Sequence, residues 1–125
     1  MNDTHPKISV RDAILLEGAI DYISASWVYG VAKDAGMASS EDTRDLAIGV
    51  IAELISTGLM LPGGFQGPGF VPWNCSAGEA IHRVASRWVV EGNPNPLADE
   101  ITWLSSTPLG DAAAEDIRAI GSTHR

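Results

Sequence analysis

The chain has 125 residues, of which 45% are hydrophobic and 19% charged, so it fits one globular domain with a sizeable core and excludes a disordered class. Sixteen acidic against eight basic residues give a net charge of −8, which disfavours nucleic acid and membrane surfaces and favours basic partners. With one cysteine, no signal-peptide pattern and no apolar run near the ~18 residues of a membrane span, we expect a cytoplasmic protein without an internal disulfide.

Two short helices are predicted at the start of the chain. Ser9 and Asp12 have the spacing of a capping box, which predicts a first helix over about residues 10–23. The serines that follow favour a break or a new N-cap, and a second helix then ends near Gly36, which suits a left-handed end. The apolar stripe predicted for the first helix is Ala13, Leu16, Ile20 and Ile23, and that for the second is Trp27, Val28, Val31 and Ala32.

A longer third helix over residues 41–57 and a β-hairpin over residues 59–73 come next. Ser39 or Ser40 can cap the helix, and Gly58 closes it. The hairpin is interpreted as a short strand that ends at Pro62, a glycine-rich tip at residues 65–69 and a return strand at residues 70–73. Its prolines and glycines favour an edge hairpin over a place in a central sheet. The buried stripe predicted for the third helix is Ala47, Val50, Ile51, Leu54 and Ile55.

The last third of the chain predicts two helices around one strand. Ser76 and Glu79 form a second capping box, and prolines after residue 92 end that helix. Residues 101–104 predict a third strand that covers an edge of the hairpin, and Thr107 with Pro108 is typical of a helix start, here for residues 109–120. The apolar face predicted for the fourth helix is Ile81, Val84, Ala85 and Trp88. Residues 1–8 and 121–125 are predicted disordered tails around a single domain at residues 9–120.

The succession of two short helices, a longer third helix and a hairpin resembles the winged-helix family over residues 10–73. This resemblance implies an α+β, mainly helical fold with a three-helix core and a hairpin wing, extended here by a helix, a strand and a short final helix. It also implies that the third helix would be the recognition helix. However, no lysine or arginine lies between Arg44 and Arg83, and Glu41, Asp42 and Asp45 occupy the first turns of that helix. Because DNA affinity depends on cations that neutralise phosphates, we expect this surface not to bind DNA.

The sequence shows no set of residues with the types and spacing that catalysis or metal binding requires. Cys75 and His82 are seven residues apart, but a helix that begins at Ser76 places the histidine two turns away, so a structural thiol is the better interpretation. The histidines at positions 5, 82 and 124 lack metal-ligand spacing. The glycine-rich tip has neither P-loop nor dinucleotide-binding spacing, and a hairpin that needs positive φ angles explains it. We expect no enzyme activity, no cofactor and no metal.

The aromatic residues suggest an interface. Phe65 at the turn tip is predicted to be exposed and Trp73 at the end of the wing to be partly exposed, and exposed aromatic residues ringed by polar ones often mark interfaces. The alternative is a wing folded back onto the fourth helix, which would place Phe65, Phe70 and Trp73 in the core. The tryptophans assigned to the core are Trp27, Trp88 and Trp103.

In size, charge and lack of catalytic chemistry the chain is similar to bacterial immunity proteins and antitoxins. This resemblance implies a non-enzymatic module that binds and blocks a basic toxin partner. The residues predicted to bind that partner are Glu41, Asp42, Asp45, Phe65, Trp73, Asp99 and Glu100, and a further acidic group on the last helix is Asp111, Glu115 and Asp116.

Two of the acidic groups also have a plain structural explanation, in the helix dipole for the group that starts the third helix and in a solvated face for the group on the last helix. Two other functions stay open. One is a winged-helix transcription regulator, in which the recognition helix would work in a dimer or Arg83, Arg87 and Arg118 would contact DNA phosphates. The other is a small ligand-binding protein with a pocket between the fourth helix and the wing.

Overall fold

The computed structural model describes residues 8–123, which form five helices and four strands. In chain order these are α1 (Val10–Gly18), β1 (Ile23–Ser24), α2 (Ala25–Lys33), α3 (Ser40–Ser56), β2 (Met60–Gln66), β3 (Gly69–Pro72), α4 (Ala77–Glu91), β4 (Trp103–Ser106) and α5 (Pro108–Thr123). The strands make one antiparallel sheet in the order β1-β4-β2-β3. The prediction of a mainly helical α+β fold is therefore confirmed. The strand predicted at residues 101–104 does add to the hairpin, but it lies two residues further on, as β4.

A hydroxyl side chain fixes the start of every described helix. Each cap accepts a hydrogen bond from the backbone N–H three residues further on, which satisfies one of the donors that a helix start leaves without a partner. The caps are Ser9, Ser24, Ser39, Ser76 and Thr107. These starts could be predicted because an N-cap depends only on residues of the same turn.

The first helix is shorter than the sequence predicted. α1 ends at Gly18, and the chain then turns into β1, where Ile23 pairs with Leu104. Ile20 is 76% exposed, so the predicted stripe through Ile20 and Ile23 is wrong. The side of α1 that is buried comprises Ile14, Leu15 and Gly18. Ile23 is buried because it belongs to the sheet and not to the helix.

The prediction that the first hairpin strand ends at Pro62 is also wrong. β2 continues through Pro62 and is an interior strand between β4 and β3. The N–H and C=O of one residue point to the same side of a strand, and the Pro62 carbonyl accepts the Trp73 N–H at 3.0 Å. The N–H that proline lacks would therefore face β3 at its very end, where its loss costs little.

Glycines in the hairpin serve two different purposes. A Cβ on Gly63 would collide with the Val71 carbonyl and would lie 2.7 Å from the Phe70 ring, so Gly63 is needed for the close approach of β3. Gly67 has a positive φ of 63° and precedes Pro68 in a two-residue loop, as in a type II′ turn. The predicted need for positive φ therefore holds at Gly67 and not at Gly63.

The core lies between the helices and one face of the sheet. α2 and α4 pack against α3, and α5 packs against α1. The whole stripe predicted for α3 is buried, as is Trp88 on α4, whereas Ile81 and Ala85 of the predicted α4 face are half-buried. Trp27 was assigned to the core but is 39% exposed, because α2 turns other residues inward. Those buried residues of α2 are Ala25, Val28, Tyr29 and Ala32.

The predicted tails are tested only at their inner ends. Ile8 is exposed, and α5 continues to Thr123, past its predicted end at residue 120. The other residues of the predicted tails, 1–7 and 124–125, lie outside the described residues, and so do the histidines at positions 5 and 124.

The start of α4 is expected to weaken at acid pH. The Glu79 N–H donates to Ser76 Oγ at 3.1 Å, and the Ser76 N–H donates to Glu79 Oε1 at 3.0 Å. These bonds to Ser76 hold the pKa of Glu79 below its ordinary value. A carboxyl whose pKa is lowered by folding stabilises the fold above its unfolded pKa, and this contribution is lost as pH falls through the folded pKa.

We therefore expect Ser76→Ala to lower the free energy of unfolding by about 1 kcal/mol at neutral pH. Glu79→Gln should make that free energy depend less on pH in the acid range. Urea unfolding, followed by tryptophan fluorescence from neutral to about pH 3, measures both effects. Ser40→Ala is the matched control, since Ser40 stands next to the cap of α3 without being the cap. Equal losses in the Ser76 and Ser40 variants would contradict the capping role.

Candidate protein-binding surface

The strand register separates a buried face of the sheet from an exposed one. Met60 and Leu104 are fully buried, whereas Leu61 is 45% and Phe65 is 42% exposed. Because successive side chains of a strand point to opposite faces, Leu61, Phe65 and the half-buried Trp103 lie on the face turned away from the core. We call it the outer face of the sheet.

Four rings form a packed group on the outer face, which we call the aromatic cluster: Tyr22, Phe65, Phe70 and Trp103. Phe65 meets Tyr22 and Trp103 edge to face, each with 5.1 Å between ring centroids. Phe70 stacks on Tyr22 at 5.2 Å, with 14° between the ring planes. Such offset-stacked and edge-to-face arrangements are the favourable ones. With Tyr22 44% and Phe65 42% exposed, the cluster is an exposed apolar surface of the kind that marks an interface.

Asp99 lies at the edge of the aromatic cluster, whereas the Glu100 side chain accepts a hydrogen bond within its own loop. Trp103 Nε1 donates to the exposed Asp99 carboxylate at 2.9 Å, so Phe65 and Asp99, which the sequence predicted separately, meet through Trp103. Glu100 Oε1 accepts the Leu97 N–H at 2.6 Å, and the Glu100 side chain is half-buried. That contact gives Glu100 a structural reason that does not require a partner.

Trp73 lies apart from the aromatic cluster. It is half-buried against the core, and the Arg83 guanidinium lies 3.8 Å from its ring centroid, a cation–π contact between β3's end and α4. The hairpin therefore divides: Trp73 packs towards α4, while Phe65 and Phe70 join the aromatic cluster. The exposed Phe65 and the half-buried Trp73 agree with the predicted exposure, whereas the alternative that places Phe65, Phe70 and Trp73 together in the core is wrong for Phe65.

The acidic group of α3 is a third, separate region. Glu41, Asp42 and Asp45 are all exposed, and Arg44 Nε lies 3.0 Å from Asp45 Oδ1. Their place in the first turns of α3 is stabilised by the helix dipole. Among the described residues, no ring contact or hydrogen bond joins this group to the aromatic cluster.

The arginines proposed for DNA contact have other partners and are not on one element. Arg83 lies over Trp73, and Arg87 donates to the Glu100 carbonyl at 2.9 Å; both belong to α4, which packs on α3. Arg118 pairs with a glutamate of its own helix at 3.1 Å and belongs to α5, which packs on α1 and β4. The packing of these helices gives no support to a single basic stripe.

The structure gives Cys75 and His82 no common site. Cys75 is exposed, and the exposed His82 has its Nε2 3.4 Å from the Ser86 hydroxyl, one turn further along α4. Within residues 8–123 there is no group of three or more histidine, cysteine, aspartate or glutamate residues that could hold a metal ion.

Two cavities of the described part of the chain involve α1. A polar pocket of about 290 Å³ lies between the C-terminal end of α1 and the start of α5 and includes Asp21, Tyr22 and Asp111; we call it the α1–α5 pocket. An apolar groove of about 1070 Å³ lies between α1, α2 and α3, with the exposed Trp27 in its wall. Neither is in the place predicted for a ligand pocket, between α4 and the hairpin.

Sequence reasoning missed Asp21 and Tyr22, because it placed both inside the first helix. The local signal was weak: Tyr22-Ile23 is an aromatic and β-branched pair directly before the N-cap Ser24, but two residues are too short a run to predict a strand. The sequence predicts a core position for Trp103, whereas Trp103 lies on the outer face of the sheet.

Comparison of the chain with family models, with curated proteins and with solved structures gives no match. Among the described helices, none combines the length and the apolar character that crossing a membrane requires.

Proposed function

We propose that this chain is a non-enzymatic, acidic module that binds a basic protein and blocks it, in the manner of an immunity protein or antitoxin. The observation that carries the proposal is the exposed aromatic cluster with Asp99 at its edge, on a chain of net charge −8. Aromatic side chains are enriched among the residues that dominate binding energy. Acidic residues around them would speed association with a basic partner.

The winged-helix resemblance concerns only the order of the helices and strands. Two short helices, the longer α3 and the β2–β3 hairpin follow one another as in that family. The hairpin carries no cation, and Arg44 on α3 is paired with Asp45. Since duplex binding requires cations at the phosphates, these facts favour a protein partner over DNA.

The proposal can be tested by capture with matched variants. We expect the purified chain to retain a basic protein from lysate of the cells that produce it, and to retain less of it as salt is added. Phe65→Ala should weaken binding of that protein about tenfold or more, and the charge reversal Asp99→Arg should also weaken it. Val90→Ala is the control, because Val90 is 83% exposed and lies on α4, outside the aromatic cluster.

Two results would count against the proposal. One is a captured protein that binds the Phe65 and Asp99 variants as tightly as the unaltered chain. The other is a tight complex with duplex DNA in a gel shift at low salt, which would favour the transcription-regulator alternative. Reversal of Glu41 and Asp42 is expected to matter less than reversal of Asp99, because the α3 group lies apart from the cluster.

A further inference from the structure

The α1–α5 pocket adjoins the aromatic cluster through Tyr22, which belongs to both. Its charged lining is entirely acidic, from Asp21 and Asp111, and Ser105 and Ser106 add two hydroxyls. The backbone at the C-terminal end of α1 completes the wall. The lining is therefore rich in hydrogen-bond acceptors and contains no cation.

The end of α1 carries negative charge that no ion pair among residues 8–123 neutralises. A helix C-terminus is partly negative and is stabilised by nearby basic residues, but the last turn of α1 has no basic residue. It holds Glu17 instead, and Asp21 lies three residues after the helix end at Gly18. Acidic groups at this end of a helix lower stability, and in the described part of the chain no basic side chain pairs with either of them.

The hydrogen bond that Asp21 accepts does not explain why the side chain at this position is charged. Asp21 Oδ1 accepts the Tyr22 N–H at 2.7 Å, and the amide oxygen of an asparagine would accept the same bond. Asp111 differs, since it lies in the first turn of α5, where the helix dipole favours an acid. The charge without a structural reason is therefore that of Asp21.

We infer that the α1–α5 pocket receives an arginine side chain of the partner, with the guanidinium close to Asp21 and Asp111 and alongside Tyr22. The inference rests on the proposed function and names the chemistry that the surface recognises. A guanidinium offers five donors in a planar fork and packs on aromatic rings, which suits a pocket with several oxygen acceptors beside a tyrosine. A lysine ammonium has no such plane and fits this lining less well.

The test uses N-acetyl-L-argininamide as probe and the ¹⁵N-labelled full chain, at constant ionic strength. The expected result is a saturable set of NMR shift changes confined to the amides of residues 18–22, 105–106 and 111. Binding of N-acetyl-L-lysinamide should be weaker, and that of uncharged N-acetyl-L-norleucinamide should be undetectable. Asp21→Asn should weaken argininamide binding about tenfold, as expected for the loss of a charge-assisted pair. Asp34→Asn removes an equal charge from the exposed end of α2 and should change nothing.

Asp21→Asn should also leave the melting temperature unchanged or raise it, because a negative charge leaves the end of α1. A lower melting temperature would show that the charge is structural and would overturn the inference. Shift changes spread over all acidic surfaces, or equal weakening by Asp21→Asn and Asp34→Asn, would overturn it as well.

The inference and the proposed function fail separately. If the chain binds argininamide in this pocket but captures no basic protein, the proposed function is wrong and the arginine-binding pocket stands. If the chain captures a basic protein and Asp21→Asn does not weaken that binding, the proposed function stands and the arginine-binding pocket is wrong.

Discussion

Replacement of Trp88 by alanine is expected to lower the free energy of unfolding by about 3–5 kcal/mol, a large part of what holds a domain of this size together. Trp88 is fully buried on α4, and its Nε1 donates to the Pro94 carbonyl at 2.9 Å. The truncation leaves a cavity in the core and removes the bond that ties the loop after α4 to the helix. Both effects act in the same direction.

Urea unfolding followed by far-ultraviolet circular dichroism measures the loss without relying on the deleted fluorophore. Trp88→Phe should cost less than alanine, because a ring still fills the site and only the hydrogen bond and part of the volume are lost. Val90→Ala on the same helix is the control and should change stability by no more than about 0.5 kcal/mol. A Trp88→Ala chain as stable as the Val90 variant would contradict the position of α4 on the core.

The parts of the fold that sequence predicted are those set by neighbouring residues. The caps at Ser39 and Ser76 and the buried stripe of α3 each depend on side chains within one or two turns. β1 could not be recognised in the same way, because a strand of two residues has no periodicity to read. It exists because Ile23 pairs with Leu104, far away along the chain.

The same limit applies to the candidate surface. Phe65 and Asp99 were selected one by one, for exposure and for charge, and the structure joins them through Trp103. The contact of Tyr22 with Phe65 could not be predicted, because it depends on the order of the strands, which places β4 between β1 and β2. Local patterns suggest which side chains are available for a surface, whereas long-range pairing decides which of them meet.

The neighbouring glycines of β2 allow a sharp test of that pairing. Gly63→Ala is expected to lower the free energy of unfolding by about 2–3 kcal/mol, because the added methyl would collide with the Val71 carbonyl and lie 2.9 Å from Pro72 Cα. Backbone atoms of β3 must move, and a strand cannot give way as a flexible side chain does. Gly64→Ala is the matched control: nothing lies within 4 Å of its added methyl, so stability should stay the same or rise. Equal stability of the two variants in urea unfolding would contradict the register of β2 with β3.

Gly63 also connects the fold to the proposed function. Its added methyl would lie 2.7 Å from the Phe70 ring, so Gly63→Ala should displace Phe70 from its stack on Tyr22 and reduce the near-ultraviolet circular dichroism of the rings. The substitution itself leaves the side chains of Phe65 and Asp99 chemically unchanged. If the cluster binds its partner as a preorganised surface, the Gly63 variant, at a temperature where it is still folded, should bind the captured protein more weakly than the Gly64 variant. Equal binding by the two variants would mean that Phe65 and Asp99 act without the stacked rings behind them.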